Sequence, residues 1–411
     1  MTAKMTMGEF FGGLLAPPTI ANPYPFYEGL RAKGPILVEA PVPLAVFTRN
    51  AAVLAALQDK RFSNDWPSSY RFARPLDAAE EIIFQKMIRF FQIWMQGNDG
   101  AKHVRLRGLV QRAFTPKMLE RMEQRITSVV DGLLAEMKSK RECDYVADFA
   151  RPFPEVIIGE MFGLPKESSA EFTRTANAIF GFIGIVDPPA GALQHIESQL
   201  NQVRDYLEPI IEDRKKHPAE DMISVFVHPD ANGDVMSTEE IVVQCSMMLA
   251  AGHETTATLV ANGLLALLRH PDQKAKLAGD PALAKSAVEE CLRYDSPSLW
   301  TPRIAAEDFE YEGAPLKKGQ PVWLGLASAN HDPDSFDTPA TFDITRKAGK
   351  MLTLGWGPHY CIGAALARME AQIALNRTLA MLPNPELATP TIEWQPNFML
   401  RSPKALPIRF D

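Results

Sequence analysis

Cysteine is scarce in this chain, and what there is stands apart: Cys143, Cys245, Cys291 and Cys361 in 411 residues. No two of them form a CxxC-like group, which excludes the usual zinc and iron–sulfur ligand sets. Unpaired cysteines also fit a reducing compartment. Long apolar runs are missing too. No stretch reaches the roughly 18 residues that span a bilayer, and the most apolar one, Ile82 to Met95, is broken by Gln85, Lys86, Arg89 and Gln92. Residues Met1 to Phe11 lack a basic segment followed by an apolar run of signal-peptide length. The expectation is a cytoplasmic protein without a membrane anchor. Basic residues number 43 against 50 acidic ones, a net charge of −7, so nucleic acid is not an expected partner. Gly/Ser linkers, charge blocks and internal repeats are absent. Length alone would allow two or three domains, yet nothing in the sequence marks a boundary.

What is present centres on Cys361. It sits in Gly355-Trp356-Gly357-Pro358-His359-Tyr360-Cys361-Ile362-Gly363, directly ahead of a helical pattern from Ala364 to Met381. The free amides of a first helical turn, and the positive end of its dipole, would favour an anionic sulfur. The glycines leave room for something flat against the backbone. Nucleophilic catalysis would need a base in reach, and His359 is only two residues away. Axial ligation of a haem iron needs one thiolate alone, which the spacing favours. A buried structural cysteine at a helix start is a third possibility, and the loop by itself leaves it open.

A second signal is a long helix. Ser237-Thr238-Glu239-Glu240 reads as a capping box, and apolar residues continue until Pro271. That is about 33 residues, or roughly 50 Å at the helical rise. A compact chain of this size is about 55 Å across, so the helix is expected to cross nearly the whole protein. In its middle stands Ala251-Gly252-His253-Glu254-Thr255-Thr256. An interior glycine costs roughly 1 kcal/mol against alanine, and threonine hydroxyls compete for backbone carbonyls. In isolation this is a tolerated kink.

Taken together, these pieces resemble the cytochrome P450 family. Leu354 to Gly363 is similar to its Phe-Gly-x-Gly-x-His-x-Cys-x-Gly haem-binding signature, with Leu354 where phenylalanine is usual. Ala251 to Thr256, Glu290-Cys291-Leu292-Arg293, Pro302-Arg303, Phe342-Asp343-Ile344-Thr345-Arg346 and His103-Val104-Arg105-Leu106-Arg107 recur in the family's order. The resemblance runs from Asn22-Pro23-Tyr24-Pro25 to Leu406-Pro407-Ile408-Arg409-Phe410. It implies a mainly α fold with small β-sheets, one domain over residues 1–411 without a fused reductase, and a long central helix over the haem. It implies haem b held on Cys361, with Gly355 and His359 in the cysteine loop, and Ala251 and Gly252 lowering the helix wall for dioxygen. Thr255 becomes the hydroxyl beside the oxygen site and Glu254 its acidic proton source. Thr256 is expected to pack or bond back to its helix, and His253 to point away from the Gly252/Thr255 face. His103, Arg107, Arg303 and His359 would pair the two propionates, which are costly to bury unpaired. Glu290, Arg293 and Arg346 would form a buried ion network behind the thiolate loop.

The implied activity is insertion of one oxygen atom of O2 into a C–H bond of a hydrophobic small molecule. Electrons would come from NAD(P)H through a reductase and a 2Fe–2S or similar ferredoxin, and the enzyme would act as a monomer. Oxidative coupling, desaturation and peroxide-driven oxidation share these motifs; a non-catalytic haem-thiolate sensor is the reading from another class. Apolar residues expected to roof the pocket are Phe84 to Met95, Ile179 to Ile185 before Asp187-Pro188-Pro189, Leu299 to Thr301, and a hairpin tip at Asn397-Phe398-Met399. Most of them should be core. Between positions 102 and 121, Lys102, Arg105, Arg107, Arg112, Lys117 and Arg121 face only Glu120. This basic run reads either as a solvated face or as the dock of an acidic ferredoxin.

Overall fold

The computed structural model describes residues 2–39, 43–70, 72, 75–181, 189–347 and 349–411. Phe182, Ile183, Ile185, Asp187 and Pro188 of the expected pocket roof lie outside them. Helices dominate, with small sheets, as the resemblance implied. The chain forms two compact units. The first holds residues 1–62, 123–153 and 255–411, and the second 63–122 and 154–254. Each is assembled from separated stretches, which is why no linker is visible in the sequence.

The first unit is built on a sheet. Ala3–Met5, Ile36–Val38, Leu44–Phe47, Pro321–Gly325 and Trp300–Ala305 lie side by side, with Phe62–Ser63 at the edge. Trp300–Ala305 runs antiparallel to Pro321–Gly325, with Arg303 opposite Val322. Phe47, Phe62, Val322, Leu324 and Leu352 form a buried cluster against which Trp356 of the cysteine loop packs. The hairpin Phe309–Tyr311/Ala314–Leu316 turns on Glu312 and Gly313, both at positive φ, as a two-residue primed turn demands. Helices Ala284–Tyr294 and Ala364–Met381 pack against the C-terminal part of Thr238–Arg269. The contact is close at Gly263, where a Cβ would stand 3.1 Å from Leu375 Cδ1 and 3.3 Å from Cys291 Sγ.

The second unit is helical. Asp77 and Glu80 cap Ala78–Ile93 reciprocally, and that helix buries Ile83, Phe84, Met87, Ile88 and Phe91 at helical spacing. Most of the expected roof residues here are core, as anticipated. Thr238–Arg269 belongs to both units: Thr238–Glu254 to the second and Thr255–Arg269 to the first. Its start is the capping box read from the sequence. Glu240 N donates to Ser237 Oγ at 3.2 Å and Ser237 N to the Glu240 carboxylate at 2.8 Å. It stops at Arg269, two residues ahead of Pro271.

Candidate active site

The cysteine loop is shaped by two left-handed glycines, Gly355 and Gly357, each at φ 72°. A Cβ on Gly357 would also stand 2.9 Å from the Leu57 carbonyl oxygen, so glycine is required there twice over. Backbone bonds close the loop on itself: Gly355 N to Leu352 O at 2.8 Å, Tyr360 N to Gly357 O at 3.1 Å, and Cys361 N to Leu354 O at 2.9 Å. Helix Ala364–Met381 follows, with the limits expected from the sequence. Gly363 at its N-cap offers no side-chain cap, so its first amides depend on whatever lies beyond the helix end.

Of the four cysteines, all among the described residues, Cys143, Cys245 and Cys291 are buried and Cys361 is partly exposed. Burial pushes the Cys143 thiol up to about 12, and raises Cys245 and Cys291 as well. Those three are held as inert thiols. Cys361 alone combines access with a helix N-terminus. Among the described residues, no group of three or more His, Cys, Asp or Glu could hold a bare metal ion. A single sulfur suits a metal that brings its remaining ligands with it, and the glycine-lined loop leaves space for a flat one. The donor set fits haem.

The expected ion network is present behind this loop. Arg293 is 2% exposed and forks onto Glu290 at 2.8 and 2.7 Å. Arg346 reaches the same carboxylate at 3.2 Å. The two guanidiniums also donate to the carbonyls of Asp337, Pro339 and Thr341, pinning the 337–346 loop. Arg293 further donates to the Asn330 carbonyl at 3.1 Å. The buried Asn330 amide then holds Leu352 N and the Thr353 hydroxyl, both at 2.7 Å. The network therefore reaches the first residues of the cysteine loop through Asn330, which sequence reading did not single out.

Arg303 is buried on its strand and donates to Thr301 Oγ1 at 3.0 Å and to the Pro302 carbonyl at 2.7 Å. His359 is half-buried in the short turn Gly357–His359. In the second unit, His103 and Arg107 lie four residues apart on helix Gly100–Gln111, hence on one face. His103 is buried and Arg107 half-buried.

On the long helix, Ala251, Gly252, Glu254 and Thr255 are all half-buried. A Cβ on Gly252 would stand 3.3 Å from Ile158 Cδ1, so any side chain there would crowd that neighbour. His253 is buried, with Nδ1 3.0 Å from Asn177 Nδ2 and Nε2 4.0 Å from Glu155. Its ring is thus engaged with the two helices Pro152–Met161 and Lys166–Gly181. Thr256 is packed in the interior, as expected. Its hydroxyl bonds across to Glu370 on helix Ala364–Met381. Glu370 itself was missed, because a lone glutamate in a helical pattern reads as a surface charge.

The basic run at 102–121 is less basic in three dimensions than in sequence. Arg105 forks onto Asp234 at 2.8 Å and onto Glu240 at 2.6 Å. Arg121 pairs with Glu220, and Arg112 donates to the carbonyls of His228 and Pro229. Acidic residues more than 90 positions away supply the partners, so a local count could not see them.

A lone accessible cysteine in a glycine loop ahead of helix Ala364–Met381, in a chain whose long helix Thr238–Arg269 carries a glycine–acid–threonine step, defines a haem-thiolate protein. The chain belongs to the cytochrome P450 family: the family model "Cytochrome P450" matches residues 85–280 and 282–406. The polyketide biosynthesis cytochrome P450 PksS of Bacillus subtilis (strain 168) is 35% identical over 374 residues, covering 90% of this chain and 89% of that one. Cytochrome P450 monooxygenase PikC of Streptomyces venezuelae is 37% identical over 410 residues, 97% of this chain and 93% of that one. Among solved structures, P450BioI in complex with hexadec-9Z-enoic acid ligated acyl carrier protein superposes with a TM-score of 0.87 at 34% identity, covering 96% of this chain and all of that one. The protein is a cytochrome P450 oxidoreductase with haem as its cofactor. No helix among the described residues is long and apolar enough to cross a membrane.

Proposed function

We propose that this enzyme inserts one oxygen atom of O2 into a C–H bond of an apolar small molecule, using electrons passed from NAD(P)H by a separate reductase and ferredoxin. The observation that carries the reading is Cys361, the accessible cysteine among four, set at a helix N-terminus by two glycines in the left-handed region. Cys361 would ligate the iron, and His359, Arg303, His103 and Arg107 would supply the cations for the propionates. When bound, the haem supplies oxygen-activating redox chemistry, and a cysteine thiolate favours O–O cleavage. Ala251 would keep the helix wall low where dioxygen enters, while the missing side chain of Gly252 makes room for Ile158 of helix Pro152–Met161. Glu254 holds a proton and the Thr255 hydroxyl delivers it toward the oxygen substrate. Both proton-handling residues are present, which favours an O2-dependent enzyme over a peroxide-driven one.

The relative named for polyketide biosynthesis and the neighbour holding an acyl chain on its carrier protein support an apolar chain or ring as substrate, held by shape. The deciding experiment is the spectrum of the reduced, carbon-monoxide-bound protein. A thiolate-type Soret band is expected, and its loss in Cys361→Ser. A wild-type spectrum of the histidine-ligated type would overturn the assignment. Ferric spin-state shifts with free and carrier-bound acyl or polyketide compounds then identify the substrate class.

A further inference from the structure

The turn carrying Cys361 is tied to a second carboxylate, the neighbour of the one in the ion network. Arg368, one turn into helix Ala364–Met381, forks onto Glu289 of helix Ala284–Tyr294. Its Nε meets Oε1, and Nη2 donates to Oε2 at 3.1 Å. The remaining edge of the guanidinium, through Nη1, donates to the Tyr360 hydroxyl at 2.8 Å. Tyr360 directly precedes Cys361. Successive helix residues project about 100° apart, so Glu289 and Glu290 serve different elements from one turn. Glu290 takes Arg293 and Arg346, while Glu289 takes Arg368.

Backbone bonds from Tyr360 N and Cys361 N shape the loop, and its carbonyls accept from the helix that follows, Ala364 N to Cys361 O at 3.3 Å and Ala367 N to Gly363 O at 2.9 Å. The Tyr360 side chain adds a further constraint, which reaches helix Ala284–Tyr294 through Arg368. Arginine is suited to the task, because its planar fork can hold a carboxylate bidentately and still donate from its other edge. A lysine has three donors on one nitrogen and cannot span both carboxylate oxygens and the hydroxyl in this planar fan.

We infer that Tyr360 is a positioning residue for Cys361, held through its hydroxyl by the Arg368–Glu289 fork so that the sulfur keeps one direction. The inference deepens the haem-thiolate reading and rests on it. Its test uses the holoenzyme and follows the carbon-monoxide-bound ferrous spectrum during mild warming, as the thiolate-type band gives way to the thiol-type band. Tyr360→Phe and Arg368→Lys should speed that conversion on the order of tenfold, the worth of one charge-assisted hydrogen bond. The global unfolding midpoint should fall by only about 1–2 °C in Tyr360→Phe, because the same loss is spread over a chain of this length. The double variant should be no faster than Arg368→Lys alone, since both act on one contact. Independently of the spectrum, amides of residues 354–363 should exchange faster in Tyr360→Phe, with those of Thr238–Arg269 unchanged.

A Tyr360→Phe protein with wild-type conversion and wild-type loop exchange overturns the inference and leaves the haem-thiolate reading standing. A wild type that shows no thiolate band overturns both. Tyr360→Phe removes one oxygen atom and decides the matter even if Arg368→Lys does not fold.

Discussion

Among the described residues, no cation offsets the burial of the Glu370 carboxyl. It is 3% exposed, and burial pushes it up to about 8, against a hydrogen bond with Thr256 that pulls it down. In the unfolded chain the group ionises in the ordinary carboxylate range. Between that range and about pH 8, the folded state retains a proton that the unfolded state has lost. Its stabilising contribution is therefore complete at low pH and is lost as pH rises through this window. Glu370→Gln should flatten the difference: thermal unfolding of the two proteins should diverge with rising pH, the variant being more stable at the alkaline end. Parallel curves across the window would mean that the carboxylate is compensated after all. Thr255, by contrast, is half-buried and carries a proposed chemical role. Thr255→Ala should keep its haem and consume NAD(P)H, but release hydrogen peroxide in place of product. Unchanged coupling of electrons to product would remove Thr255 from the mechanism.

At the scale of elements, helix Ala284–Tyr294 is the anchor of the cysteine loop. Arg293→Ala would leave Glu290, itself 3% exposed, without its closest partner, and would release carbonyls of the 337–346 loop and of Asn330. Breaking a buried pair in this way costs about 3–5 kcal/mol, a large share of the stability of any domain. The expected outcome is little or no haem-loaded protein, read from the ratio of haem to protein absorbance; a fully loaded, active variant would contradict the role. Elements of this kind were legible where the signal is local. The capping box at Ser237, the stop before Pro271 and the span Ala364–Met381 all follow from short-range chemistry, and the structure keeps them. The Glu290–Arg293–Arg346 network was legible only through resemblance, since Arg346 lies 56 positions from Glu290. What escaped was pairing at a distance with no motif to flag it. Asn330 beneath the loop, Glu220 opposite Arg121, and Glu370 opposite Thr256 each look like an ordinary polar residue until the fold brings its partner.

At the scale of the whole molecule, the two units are interleaved along the chain. Residues 63–122 leave the first unit and residues 123–153 return to it before 154–254 leave again. Two helices, Pro116–Lys138 and Thr238–Arg269, have their N-terminal residues in the second unit and their C-terminal residues in the first. Helix formation is cooperative, so melting such a helix in one unit removes backbone hydrogen bonds that its continuation in the other relies on. Neither unit is a contiguous segment, and closing its loops without the other would cost chain entropy that its own contacts must repay. The proposal that follows is a single folding domain over residues 1–411. Calorimetry of the holoenzyme should then give one transition. Two local probes, Trp94 in the second unit and Trp394 in the first, each isolated by replacing the other five tryptophans with phenylalanine, should share its midpoint. Separate midpoints for the two probes, reproduced at two scan rates, would show that the units unfold independently despite their shared helices.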